Sequence, residues 1–180
     1  EGSSDNIFLN NNFSDFGDAG LILLAGSRRN RIEGNVMIRS GDAGVNIQDS
    51  DGNEVINNVA HQSSDGGVVL NSANNTIVRG NDVRFNPNGV DASNSNNLTI
   101  EDNDGSNSLQ TGFELGNGLN FIIRNNIANN TGGSGFGIES GAFDANGAPV
   151  GGALIEGNTA NENRENGIVV ADGGHTIRNN

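Results

Sequence analysis

Two carboxylates stand out because they occupy the same place in a recurring frame. Asp91 lies in Gly89-Val90-Asp91-Ala92, and Glu114 in Gly112-Phe113-Glu114-Leu115. The same frame, a glycine followed by an apolar–x–apolar triplet, recurs at Gly44, Gly67, Gly135 and Gly167. Triplets of this kind read as short strands whose middle residue faces outward. Stacked one coil apart, Asp91 and Glu114 stand on the order of 5 Å apart at Cα. Carboxylates that close raise one another's pKa, so one can stay protonated as an acid. A carboxyl separation of about 5–5.5 Å is also what a retaining glycosidase uses. Plain surface charge on a solvated sheet is the commoner reason for such a pair.

Beside the pair run two outward columns. One reads Asn46, Val69, Asp91, Glu114, Gly137; the other, two residues on, reads Gln48, Asn71, Ser93, Gly116, Glu139. Asn46, Gln48, Asn71 and Glu139 suit sugar hydroxyls, with or without catalysis. Asp49, Asp51 and Asn53 place oxygens at alternating positions, as in the front half of a calcium loop, but no Glu follows at the twelfth position. Turn chemistry explains them too. No cofactor is required, and calcium is the one candidate. His61 and Arg84 share a column one coil apart. A His–Arg pair is suited to a uronate, although a structural role is expected for both and for His175.

The elements that position these residues follow from one repeated asparagine. It stands at Asn12, Asn35, Asn58, Asn81, Asn103, Asn126, Asn158 and Asn180, in steps of 22 or 23 residues with one step of 32. Three residues before it an aliphatic residue recurs (Leu9, Ile32, Val55, Val78, Ile100, Ile123, Ile155, Ile177). A period of this length marks a stacked repeat. Each coil holds three short strand candidates with Gly, Asn, Asp and Ser at the corners, and none has helical spacing. The expected fold is all-β: a three-faced parallel β-helix of about 7.5 coils of 22–23 residues, forming one domain over 1–180.

The residue before the asparagine is always Gly, Asn or Asp, the types that accept a left-handed turn. The asparagine is therefore expected inside a tight bend, its amide stacked on the same amide above and below. Outside the bend, Arg79, Glu101, Arg124, Glu156 and Arg178 alternate in sign. Cross-strand pairs of this kind fix register. The long step falls at 141–151, expected as an inserted loop that packs Phe143 against the rod or walls a groove.

Composition narrows the partners. The 180 residues carry a net charge of −13, and all nine basic residues are Arg. This opposes binding to nucleic acid or anionic membrane, which need a basic surface. No apolar run approaches the ~20 residues of a membrane span. There is no Cys, Trp or Tyr. No leader is visible, and Glu1 reads as the start of a mature chain or of a segment of a longer one. Unpaired strand edges at the two ends then call for further coils or other copies as partners.

The pattern NxIxxN…GhxhxxS, clearest from Asn53 to Asn58 and Gly67 to Leu70, resembles the right-handed parallel β-helix repeat families. These include pectate-lyase-like, mannuronan-epimerase-like and NosD-like proteins. The resemblance implies that the ladder lies between the second and third sheets. It also implies that carbohydrate lies along the outer face of the first sheet, here the Gly-led strands. The families' catalytic motifs are absent: there is no Asp-Pro-His, no Gly-His-Gly and no Lys. Three functions stay open. One is an extracellular, cell-surface or periplasmic module with a structural, filament-forming or polysaccharide-binding role. Another is a polysaccharide lyase, hydrolase or uronan epimerase working through Asp91 and Glu114. The third is a NosD-like periplasmic accessory protein.

Overall fold

A computed structural model describes residues 2–180. The chain winds into a solenoid of parallel sheets and contains no helix among the described residues. The first sheet has seven strands: Leu21–Leu23, Val45–Gln48, Gly66–Asn71, Asn88–Ser93, Phe113–Gly118, Phe136–Ser140 and Ile168–Ala171. The second has eight, from Ile7–Leu9 to Thr176–Arg178, one per coil. Between the sheets, Ile32, Val55, Val78, Ile100, Ile123 and Ile155 from the second face the triplet residues of the first, all buried. Phe113 and Phe136 stack at 4.9 Å within this core. Gly105 makes the room, since a Cβ there would lie 3.0 Å from the Phe113 ring.

The third sheet is smaller than three strands per coil requires. Among the described residues only Val36–Ile38 and Val59–His61 pair as strands, and the other coils contribute single bridges through Asn12, Asp82, Asp104, Ile127 and Thr159. The local cause is visible at three of these positions. Asn12, Asp82 and Asp104 each accept a hydrogen bond from the backbone N–H two residues on. That turn competes with strand pairing.

The asparagine ladder is present, with one correction. Its first member is Asn11, not Asn12: the N–H and Nδ2 of Asn11 donate to Oδ1 of Asn35 at 2.9 and 3.0 Å. Asn12 is exposed. Phe8, not Leu9, pairs with Ile32, and Leu9 is 50% exposed. The first coil is thus one residue longer than the repeat implied, and a one-residue slip reverses which side chains point in. From Asn35 to Asn180 the register is as expected, each backbone N–H and Nδ2 donating to the next Oδ1. The preceding residues, from Asn10 and Gly34 to Asn179, all have positive φ.

The charged column alternates as the spacing demands. Glu101, itself buried, is clamped between Arg79 (3.3 Å) and Arg124 (2.6 Å), and Arg178 pairs with Glu156. The insertion forms a small antiparallel hairpin, Ala142–Phe143 against Pro149–Val150. Its turn is held by Asp144, whose Oδ1 accepts the N–H of Asn146 and of Ala148. The packing expected of the Phe143 side chain lies outside what the structure describes.

Candidate functional site

The first sheet brings three of the expected residues together. Asp91 and Glu114 are register partners, Glu114 lies beside Gly137, and Gly116 beside Glu139. Glutamates and glycines therefore alternate on a two-by-two patch. A Cβ on Gly137 would stand 2.6 Å from Oε2 of Glu114, so the carboxylate lies over the bare glycine. Glu114, Gly137 and Glu139, with Thr111, Ser134, Ile138, Glu165, Asn166 and Val169, line a shallow groove of about 310 Å³, and Asp91 lies one coil outside it. The hairpin leaves the sheet directly after Ser140, at the end of the strand that carries Glu139.

Burial pushes the Glu114 carboxyl above its usual range. The charges of Asp91 and Glu139 push the same way, and a hydrogen bond with Thr111 opposes them. Asp65, one coil below Asp91, is raised by burial and then by Asp91 and Asp42. The amide of Asn88 donates to Asp91 at 3.1 Å. The face is thus an acidic stripe edged by amides and hydroxyls. None of the nine Arg occupies either outward column of this sheet.

Several expected residues fall elsewhere. Val69 separates Asn46 from Asp91, and Asn46 is 4% exposed with its Nδ2 on Asp42. Gln48 and Asn71 pair with each other in the same early coils, away from the groove. Asn53 is no partner for Asp49 and Asp51. It is fully buried in a second amide ladder, its Oδ1 accepting from Asn30 and its Nδ2 donating to Ser27 and Ser50 carbonyls. Asp51 accepts from the N–H and Nδ2 of Asn74, while Asp49 is an exposed turn residue. Turn chemistry thus uses Asp51 and Asn53. Among the described residues no group of three or more His, Asp or Glu is placed to hold a metal ion.

Asp42, Asp65, Asn88, Thr111, Ser134, Glu165 and Asn166 were missed. Their signal was available: all sit one or two residues before the repeated glycine, on the rim that leads into the first sheet.

This architecture, one sheet behind an amide ladder and one bearing a groove, defines a right-handed β-helix. The model of that family, described as a right handed beta helix region, matches residues 1–98 and 38–180, and the chain belongs to it. A search of curated proteins by sequence gives no match. Among solved structures the chain is similar to the periplasmic alginate epimerase AlgG, at 15% identity and a TM-score of 0.58. That alignment covers 92% of this chain and 47% of the epimerase. The chain is also similar to the A-module of the Azotobacter vinelandii mannuronan C-5 epimerase AlgE4. There identity is 14% and the TM-score 0.60, covering 96% of this chain and 57% of the module. This chain therefore spans about half the length of the proteins it overlays, and the likeness shows the fold. No helix is long and apolar enough to cross a membrane among the described residues.

Proposed function

We propose that this β-helix binds a polysaccharide along the outer face of its first sheet, over Asp91, Glu114 and Glu139, outside the cell or in the periplasm. The observation that carries the reading is the patch itself. Two carboxylates fold over two glycines in a groove edged by Thr111, Ser134 and Asn166. Carboxylates accept from sugar hydroxyls, while amides and hydroxyls both donate and accept. The sign of the face selects the ligand. An acidic stripe without a cation on its columns favours a neutral glycan or one bearing free amino groups. An anionic chain such as alginate meets this face only with a cation between them.

A second reading, cleavage of the glycan, is favoured by Glu114. A carboxyl whose pKa is raised by burial and like charge is suited to protonate a leaving oxygen, with Asp91 as its register partner.

Both readings are tested by titrating neutral, amino-sugar and uronate polymers against the wild type, Glu114→Gln and Asp91→Asn, and by following new reducing ends. The binding reading expects a neutral or amino-sugar polymer to bind the wild type and to bind Glu114→Gln more weakly. Absence of binding to every polymer refutes it. New reducing ends from the wild type but not from Glu114→Gln establish cleavage.

A further inference from the structure

The corner that leads from the third sheet into the first carries a separate cluster. The Asp82 carboxylate accepts from Nε and Nη2 of Arg84, both at 2.7 Å, and meets Nε2 of His61 at 2.7 Å. A carboxylate can only accept, so the proton of His61 lies on Nε2. The pinned pair in turn brackets Phe85. His61 meets its ring edge-on at 5.5 Å and 87°, and the Arg84 guanidinium carbon lies 5.5 Å from the ring centroid.

Phe85 is nonetheless 45% exposed, and its φ is 63°. The equivalent corner is left-handed in the other coils too, at Asp15, Arg39, Gln62, Asn107, Asn130 and Glu162, so the backbone angle belongs to the repeat and the aromatic side chain is what sets this coil apart. An aromatic ring held by two polar side chains and half in water is not explained by packing.

We propose that the corner around Phe85 is a binding site for a neutral sugar ring. The negative face of the phenyl ring attracts the C–H hydrogens on the flat side of a pyranose. Beside it, Nη1 of Arg84 has no hydrogen-bond partner among the described residues. Oδ2 of Asp104 stands 3.6 Å from Nε of the same guanidinium. A donor and an acceptor side by side fit two neighbouring hydroxyls, and charged partners make the stronger bonds. Asp82 and Asp104 outnumber Arg84 in charge, so a uronate, sulfate or phosphate is repelled. The site shares no residue with the groove over Glu114, and it stands or falls independently of that groove.

The experiment is an NMR and calorimetric titration of the whole chain. The probes are the neutral β-1,4-linked hexasaccharides of glucose, mannose and galactose, with a hexauronate as control. At least one neutral hexasaccharide is expected to shift the ring resonances of Phe85 and His61, in the wild type and in Glu114→Gln alike. Phe85→Ala should then lose about tenfold or more in affinity. Phe85→Asn keeps the left-handed corner and removes the ring, so it gives the same reading if the alanine variant folds poorly. The proposal is overturned if no neutral hexasaccharide shifts these resonances, or if Phe85→Asn binds as tightly as the wild type. Tighter binding of the hexauronate than of all three neutral glycans also overturns it.

Discussion

Replacing Asn81 with alanine tests the ladder at its centre. Oδ1 of Asn81 accepts the backbone N–H of Asn58 at 2.9 Å and its Nδ2 at 3.0 Å, both in the buried bend. Its own Nδ2 donates to the Val55 carbonyl at 2.8 Å. Alanine removes these three bonds together with those from Nδ2 to the Arg79 carbonyl and to Oδ1 of Asn103, and its methyl group supplies no donor or acceptor in their place. Asn103 keeps one donor, because the backbone N–H of residue 81 still reaches its Oδ1. The Asn58 N–H has no such reserve, and the Val55 carbonyl loses a donor. At about 1–3 kcal/mol for each buried group left unpaired, the variant loses roughly 2–5 kcal/mol. For a chain of this size that lowers the melting temperature by roughly 5–15 °C. The control is Asn12→Ala, which removes one exposed bond to the Ser14 N–H and should stay within about 0.5 kcal/mol. Urea unfolding followed by circular dichroism gives both values. If Asn12→Ala costs as much as Asn81→Ala, or Asn81→Ala costs under about 1 kcal/mol, then the register and the ladder argument are wrong.

Two further predictions follow from the same packing. A Cβ at Gly118 would lie 1.9 Å from the Ser95 carbonyl oxygen, whereas at Gly137 it would meet the movable end of Glu114. Gly118→Ala should therefore lower the melting temperature strongly. Gly137→Ala should fold normally but change glycan binding, and equal losses of stability in the two would contradict this. Acid titration separates two aspartates by sign. Asp82 is desolvated, but Arg84 and His61 more than compensate and bring its pKa to about 2, below the ordinary 3.8, so its contribution is present at neutral pH and lost as pH falls through about 2. Asp65 is raised, so its charged form weakens the fold at neutral pH and the penalty disappears in acid. In urea unfolding, Asp82→Asn should destabilise at pH 7 and Asp65→Asn should stabilise, each difference shrinking in acid. Shifts of the same sign at pH 7 would refute the assignment.

The solenoid was legible because its determinants are local and repeated. An inward aliphatic residue, a turn-tolerant residue and an amide recur at fixed steps. From Asn35 onward the ladder, the core columns and the alternating Arg and Glu stand where the spacing put them. The first coil was misread because Asn10, Asn11 and Asn12 are the same residue type, and only pairing with the next coil shows which amide is inside. Asn53 was misread for a related reason. Its oxygen looks free in a row of acids, and only the buried Asn30 beneath it shows that it is used.

The stacking of Asp91 on Glu114 follows from the repeat alone, because residues one period apart are neighbours in any parallel solenoid. The sequence by itself thus determined the fold, the core and the outward columns. Only the tertiary structure decided which column members share a groove, because that depends on the direction each side chain leans. It turned Glu114 over Gly137, left Asn46 with Asp42, and held Phe85 out at the corner beside His61 and Arg84. Period sets which residues can be neighbours, and burial, charge and backbone angle select which of them meet.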